Sequence, residues 1–314
     1  MGNNATTNHY NGFYLRNSDS NALTGNTATE NGADDNDNNG FYIHDSTSNT
    51  LNGNIASGNL KNGFSLYISD SNTLTGNNAT GNARNGYYLD NSATTLNNLI
   101  GNNATENGWD GFSLYAAHSN TLNNNNATDN HRNGFLLNRV STSNNLIGNN
   151  ASGNTQDGFY LDDHSTSNNL IGNNATGNIR DGFSLESSNS NTLTGNNASG
   201  NTQDGFHLFS SNSNTLTGNN ATGNTERGFS LYNSDSNTLT GNNATGNTNR
   251  NGFYLEGSGS NTLNRNNATG NGESGFLLEQ SNANTLSGNT AINNSGGGFL
   301  LSSCLLYTSD AADE

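Results

Sequence analysis

The apolar residues of this chain are sparse and recur on a fixed beat. An aromatic residue, usually preceded by Gly, returns thirteen times between Phe13 and Phe299, mostly about 23–24 residues apart. Two positions later stands Leu or Ile, as in Leu15, Ile43 and Leu66. Apolar residues at i and i+2 lie on one face of an extended strand. Ten to twelve residues after the aromatic comes a second Leu (Leu23, Leu51, Leu74, on to Leu286), and five residues after that always Ala, as in Ala79 and Ala104.

The polar positions keep the same beat. Asn stands two residues before the second Leu in every repeat (Asn21, Asn49, Asn72, on to Asn284), three after it (Asn26 to Asn289) and eight after it (Asn31 to Asn294). Asn and Gly are poor helix formers, and a period of about 23 residues marks a solenoid. One such coil cannot bury a core alone, whereas stacked coils lay Phe, Leu and Ala over their counterparts. The same stacking sets identical Asn side chains about 4.8 Å apart, where an amide donates and accepts along its own column. The pattern therefore predicts an all-β protein: a single parallel β-helix of about 13 coils with internal Asn ladders, some 60 Å long. It should be right-handed, the usual hand of parallel crossovers.

Composition adds limits. Net charge is −16, from 25 Asp and Glu against 9 Lys and Arg, and roughly a quarter of the chain is Asn. Such an acidic surface argues against nucleic acid as a partner, and no apolar run approaches the roughly 20 residues of a membrane-inserting helix. Both ends read as cut. Gly2–Asn8 already matches the middle of the repeat, so the expected object is an uncapped metagenomic fragment whose partners include further coils or domains of a full-length chain. Residues 1–303 form the repeat domain. Residues 304–314, "CLLYTSDAADE", break the pattern and resemble translated sequencing-adapter sequence.

The frame N-x-L-x-x-N-x-A-x-x-N, then G-[FY]-x-L, is carried for example by Asn72, Leu74, Asn77, Ala79 and Asn82, then Gly86, Tyr87 and Leu89. It resembles the right-handed parallel β-helix repeat of pectin-lyase-like proteins, above all the carbohydrate-binding-and-hydrolysis and NosD-like groups. It is also similar to Asn-rich β-helix surface proteins. The resemblance spans about Gly2–Ser303 and implies the fold. The repeat is scaffold, so it implies activity only by analogy: a carbohydrate-active enzyme (polysaccharide lyase or glycoside hydrolase), or an accessory protein for copper-site maturation.

In F-x-L the residue after the aromatic and the residue after Leu point outward. These slots hold Tyr14, Tyr42, Tyr67, Tyr88, Tyr115, Tyr160, Tyr232 and Tyr254, with Asp90, Asp162, Glu186, Glu256 and Glu279 among them. Tyr rings beside carboxylates suit a polysaccharide or other glycan, the rings stacking on sugar C–H faces. The competing reading is ordinary β propensity of Tyr. Asp162 and Glu186, on neighbouring coils, are the candidate catalytic pair at the separation of a retaining glycosidase, although any two acids in one column would meet it. A cation column lies three before the aromatic (Lys61, Arg84, Arg132, Arg180, Arg250), with no cleft expected around Arg180. Beside it lie Asp110, Asp157, Asp181 and Asp204; Asp157, Asp181 and Asp204, on successive coils, are expected to splay into water, with a shared Ca²⁺ as the competing reading.

The turn "GADDNDNNG" places Asp35, Asp37 and Asn39 like the opening of a Ca²⁺ loop, with Asp34 or Asp45 as further ligands, but lacks the closing Glu. An acidic solvated loop is the competing reading. Regular Thr pairs such as Thr73/Thr75 and Thr192/Thr194 also suggest an ice-binding face, interrupted by Asn98/Ile100 and Asn145/Ile147. The N-A-[ST] triplets are formal glycosylation acceptors. Taken together these features lead to the expectation of a non-catalytic, cell-surface or secreted scaffold, a periplasmic site also being open, that binds polysaccharide through a flat, open Tyr/acid face.

Overall fold

A computed structural model describes residues 2–33 and 38–304. Every repeat becomes one coil with three short strands, and the coils stack into three parallel sheets of 13, 13 and 12 strands among the described residues. The aromatic sheet runs from Phe13–Arg16 to Phe299–Ser302, the leucine sheet from Ala22–Thr24 to Thr285–Ser287, and the alanine sheet from Asn4–Thr6 to Thr290–Ile292. Register does not slip: Phe112 pairs with Phe135, Leu122 with Leu146, Ala127 with Ala151.

The core is what the period requires. Phe, Leu, Leu and Ala of each inner coil are fully buried. The Phe rings form one continuous offset stack, centroids 4.8 Å apart and planes within 5° for Phe112 and Phe135, an arrangement favoured over a face-to-face sandwich. Tyr87 enters this stack and sends its hydroxyl 2.8 Å to the Asn77 carbonyl, so no polar group is left orphaned.

The Asn ladders form as the spacing requires. Asn125 donates its backbone N–H and its Nδ2 to Asn149 Oδ1 at 2.9 and 3.0 Å, gives its other amide hydrogen to the Leu99 carbonyl, and accepts twice from Asn102. All its polar atoms are satisfied, as burial demands. A serine column lies beside them: Ser188 donates its backbone N–H to Ser211 Oγ, Ser211 to Ser234, Ser234 to Ser258 and Ser258 to Ser281. Cys304 continues this column, its Sγ donating to the Leu278 carbonyl.

The Gly before each aromatic from Phe13 to Phe276 is sterically obligatory. A Cβ on Gly158 would sit 2.7 Å from both the Ala175 methyl and the Gly182 carbonyl of the next coil. Coils approach too closely there for any side chain.

Candidate functional site

The aromatic sheet carries the outward columns, and the structure notches it. The slot after the core aromatic alternates between large and small: Tyr42, Ser65, Tyr88 and Ser113 in successive coils, and further on Tyr160, Ser184, His207, Ser230 and Tyr254. Two of these Ser leave a dip between larger neighbours, whereas Ser230 is fully covered. At Ser65 the dip is a pocket of about 180 Å³ lined by Tyr42, Tyr67, Tyr88, Lys61 and Asp90. At Ser184 it opens into a groove of about 640 Å³. It is lined by Tyr160, Glu186, Phe209 and Tyr232 together with Arg180, Asp181, Asp204, Arg227 and His207.

Two expectations therefore change. Arg180 does have a cleft beside it. Asp110, Asp157, Asp181 and Asp204 do not splay into water but are 2, 2, 7 and 4% exposed. They occupy the same inward column as Asn39, Asn62, Asn85 and Asn133, each side-chain oxygen accepting the backbone N–H of an adjacent coil. In the groove, Asp157 Oδ1 accepts from Asp181 N, Asp181 from Asp204 N, and Asp204 from Arg227 N, at 2.9, 2.7 and 2.8 Å. The turn backbone, with a free N–H every coil, draws them inward.

The electrostatics follow from that burial. Asp157 Oδ2 has Arg180 Nη1 at 4.0 Å, and Asp204 Oδ2 has His207 Nδ1 at 3.4 Å and Arg227 Nη1 at 3.9 Å. Asp181 lies between two carboxylates and has no such cation partner among the described residues. Burial first, then the charges of Asp204 and Asp157, push its carboxyl well above the usual range, which favours its protonated form. Burial pulls the His207 imidazole down, but the Asp204 hydrogen bond and the neighbouring carboxylates outweigh it, and the net shift is upward. The groove thus sets a buried carboxyl beside an imidazole, both shifted upward, an arrangement able to give or take a proton.

The anticipated Tyr/acid residues lie along one sheet but do not converge on one point. Tyr160, Glu186 and Tyr232 share the groove; Tyr42, Tyr67, Tyr88 and Asp90 share the smaller pocket. Tyr14, Tyr115, Asp162 and Glu256 line neither. Several bond to one another: Tyr160 donates to Glu186 at 2.7 Å, and the Tyr254 hydroxyl lies 2.8 and 2.7 Å from Glu256 and Glu279. Tyr42 and Tyr254 are only 9 and 6% exposed. Tyr254 lies beneath the Arg227 guanidinium, 4.4 Å from its ring centroid, and Tyr42 is stacked against Tyr14. The face is therefore furrowed, not flat. Asp162, beside Glu186, has its carboxyl raised by burial. Ser184 and Arg227 were not anticipated; the alternating Ser of F-x-L was the available signal.

Of the Ca²⁺ loop, Asp35 and Asp37 lie outside the described residues, as does Asp34. Asn39 Oδ1 is engaged by the backbone and side-chain amides of Asn62, 3.2 and 3.1 Å away. The Asn of most N-A-[ST] triplets form a surface ladder, Asn103 to Asn78 and Asn126 to Asn103.

The fold and its furrowed sheet define a parallel β-helix with a lateral groove. A family model described as periplasmic copper-binding protein (NosD) matches residues 1–109 and 84–203, together about two thirds of the sequence, and a model of the right-handed β-helix region matches residues 164–308. The chain belongs to the NosD family and is a right-handed parallel β-helix. No curated protein matches the sequence. Among solved structures, the chain is similar to the A-module of the Azotobacter vinelandii mannuronan C-5 epimerase AlgE4, with 15% identity and a TM-score of 0.57 over 99% of this chain and 88% of that one. The periplasmic alginate epimerase AlgG gives 15% and 0.52 over 91% and 76%. The Dettilon tailspike protein gives 12% and 0.55 over 90% and 61%. At these identities the likeness is one of fold.

Copper, which the family description names, favours His, Cys and Met ligands. Among the described residues no three His, Cys, Asp or Glu side chains converge as a metal-binding group, and Cys304 has no second thiol beside it. The residues described do not fit a copper centre.

Proposed function

We propose that this chain binds polysaccharide along its aromatic sheet, outside the cytoplasm, with the groove between Tyr160 and Tyr232 as the principal site. The groove carries the reading: about 640 Å³ lined by Tyr160, Phe209 and Tyr232 beside Arg180, Glu186 and His207. Aromatic rings offer apolar faces to sugar C–H groups, and the charged and hydroxyl groups answer sugar hydroxyls. A groove open along a solenoid suits a polymer better than a small molecule. The names of the structural neighbours, alginate epimerases and a tailspike, are compatible with this reading.

The test is a glycan array probed with and without Ca²⁺, wild type against Tyr160→Ala/Tyr232→Ala. Binding by the wild type and loss in the double variant is the expected result. Equal binding by both would remove the groove from the reading, and binding to no glycan would end it.

One observation favours a carbohydrate-active enzyme as the second reading: the buried Asp181 lines the groove together with His207, two groups able to exchange a proton. Release of reducing or unsaturated sugar ends from a bound polymer, lost in Asp181→Asn, would replace the binding scaffold with an enzyme. Binding without turnover keeps the scaffold.

A further inference from the structure

Three coils before the groove, the cation column does something different. Arg84, Trp109 and Arg132 stand at the same position of successive coils. The two guanidiniums lie on opposite faces of the indole, 4.8 and 4.5 Å from its ring centroid. Across the aromatic sheet, at the far end of the Trp109 coil's strand, Arg139 lies over the Tyr115 ring at 5.0 Å. Between these two stacks run Tyr88, Ser113 and Leu136 in successive coils.

Stacking occupies the faces of a guanidinium and leaves its N–H edges free. Among the described residues, Arg84, Arg132 and Arg139 have no carboxylate within ion-pair distance, whereas Arg180, Arg227 and Arg250 each have one. Two acids whose charges these arginines feel are already engaged. Asp110 is buried and bonded to Asn133, and Asp90 takes the Tyr88 hydroxyl. A chain of net charge −16 thus holds three cations in rigid, aromatic-backed positions with their donors turned to solvent. Arg84 and Arg132 are two coils apart, about 9.5 Å, a span that one anionic group cannot bridge.

We infer that the Arg84–Trp109–Arg132 stack, with Arg139 across the sheet, is an anion-binding site whose ligand is an acidic polysaccharide bearing carboxylate or sulfate groups at intervals. Planar guanidiniums pair with either group through two parallel N–H bonds. A linear polyanion running along the solenoid axis meets Arg84 and Arg132 in turn and continues toward Arg180. The polymeric nature of the ligand rests on the polysaccharide reading above; the anion selectivity rests on the stack alone.

The chain contains one Trp, so emission excited at 295 nm reports on the stack and not on the groove. The experiment titrates carboxymethylcellulose against hydroxyethylcellulose, and dextran sulfate against dextran, following Trp109 emission and bound fraction together. One or both anionic polymers should change the emission and bind, the neutral partners should not change it, and the affinity should fall steeply with added salt. Arg84→Gln/Arg132→Gln should weaken anionic binding at least tenfold. Arg84→Lys/Arg132→Lys, which keeps the charge, should retain part of it. Circular dichroism checks that both variants keep the β fold, and the wild-type titration stands whatever they do. Equal response to charged and neutral polymers overturns the anion site while leaving the groove reading intact. So does anionic binding unchanged by Arg84→Gln/Arg132→Gln but lost in Tyr160→Ala/Tyr232→Ala. No response to either anionic polymer overturns the site outright.

Discussion

Asp110 accepts both the backbone N–H and the side-chain amide of Asn133, at 3.0 and 2.9 Å, from a position where Asn85 and Asn133 stand on either side. It is a carboxylate in an asparagine's place. Burial pushes its pKa from 3.8 up to about 6, against the opposing hydrogen bonds from Asn133 and the Arg132 charge.

The sign of the consequence is fixed by linkage. Between about pH 4 and 6 the folded chain holds a proton at Asp110 that the unfolded chain has released, so this group's contribution to stability falls as pH rises through the window and stays constant above it. Asp157, Asp181 and His207 are also shifted upward and act in the same direction. Asp110→Asn restores the column and removes this group's share. The variant should exceed wild type by on the order of 2–3 kcal/mol at pH 8 and match it near pH 3.5. Urea denaturation at the two pH values checks it; an equal gain at both would mean that the carboxyl is not strained by charge.

Replacing Asn125 with Ala leaves the buried donors of Asn102 without their acceptor and frees the Leu99 carbonyl from one of its bonds. The expected loss is about 2–4 kcal/mol. Its neighbour Asn126 is half-buried in the surface ladder, bonded to Asn103, and Asn126→Ala should cost less than about 1 kcal/mol. Thermal unfolding of the two variants side by side decides whether the inner ladder, more than the outer one, holds the coils together.

Two glycines separate crowding from backbone strain. Gly158→Ala drives a methyl to 2.7 Å from Ala175 and from the Gly182 carbonyl, whereas Gly172, at a φ of 62°, has open space where a methyl would stand. Gly158→Ala should cost about 2–4 kcal/mol by forcing coils apart, Gly172→Ala about 1 kcal/mol from the left-handed backbone alone. The reverse order in chemical denaturation would contradict the close approach of coils.

Tyr87→Phe tests the one hydroxyl in the aromatic stack. The Asn77 carbonyl that it bonds also accepts the Asn103 backbone N–H at 2.9 Å, so no acceptor is stranded by its removal. The melting temperature should move by no more than a change of about 1 kcal/mol allows.

The period alone determined the architecture of this protein. Identical residues recurring once per coil can only stack on themselves, so Phe on Phe, Leu on Leu and Asn on Asn were legible from Phe112 and Phe135 or Asn125 and Asn149 as letters. Each such column is self-complementary and needs no knowledge of its surroundings. The pre-Gly position was not legible in this way. It lies in a turn, where strand alternation does not say which way a side chain points, and only the folded backbone, with a free N–H at every coil, decided that Asp157, Asp181 and Asp204 turn inward. The furrows had the same origin. Ser65 and Ser184 were visible in the sequence, but the depth of a notch depends on the side chains of adjoining coils, and Tyr42 and Tyr254 were covered by neighbours that only lateral packing supplies. A one-dimensional repeat specifies what lies above and below each residue; the side-to-side contacts that make a groove and shift a pKa come from the three-dimensional stack.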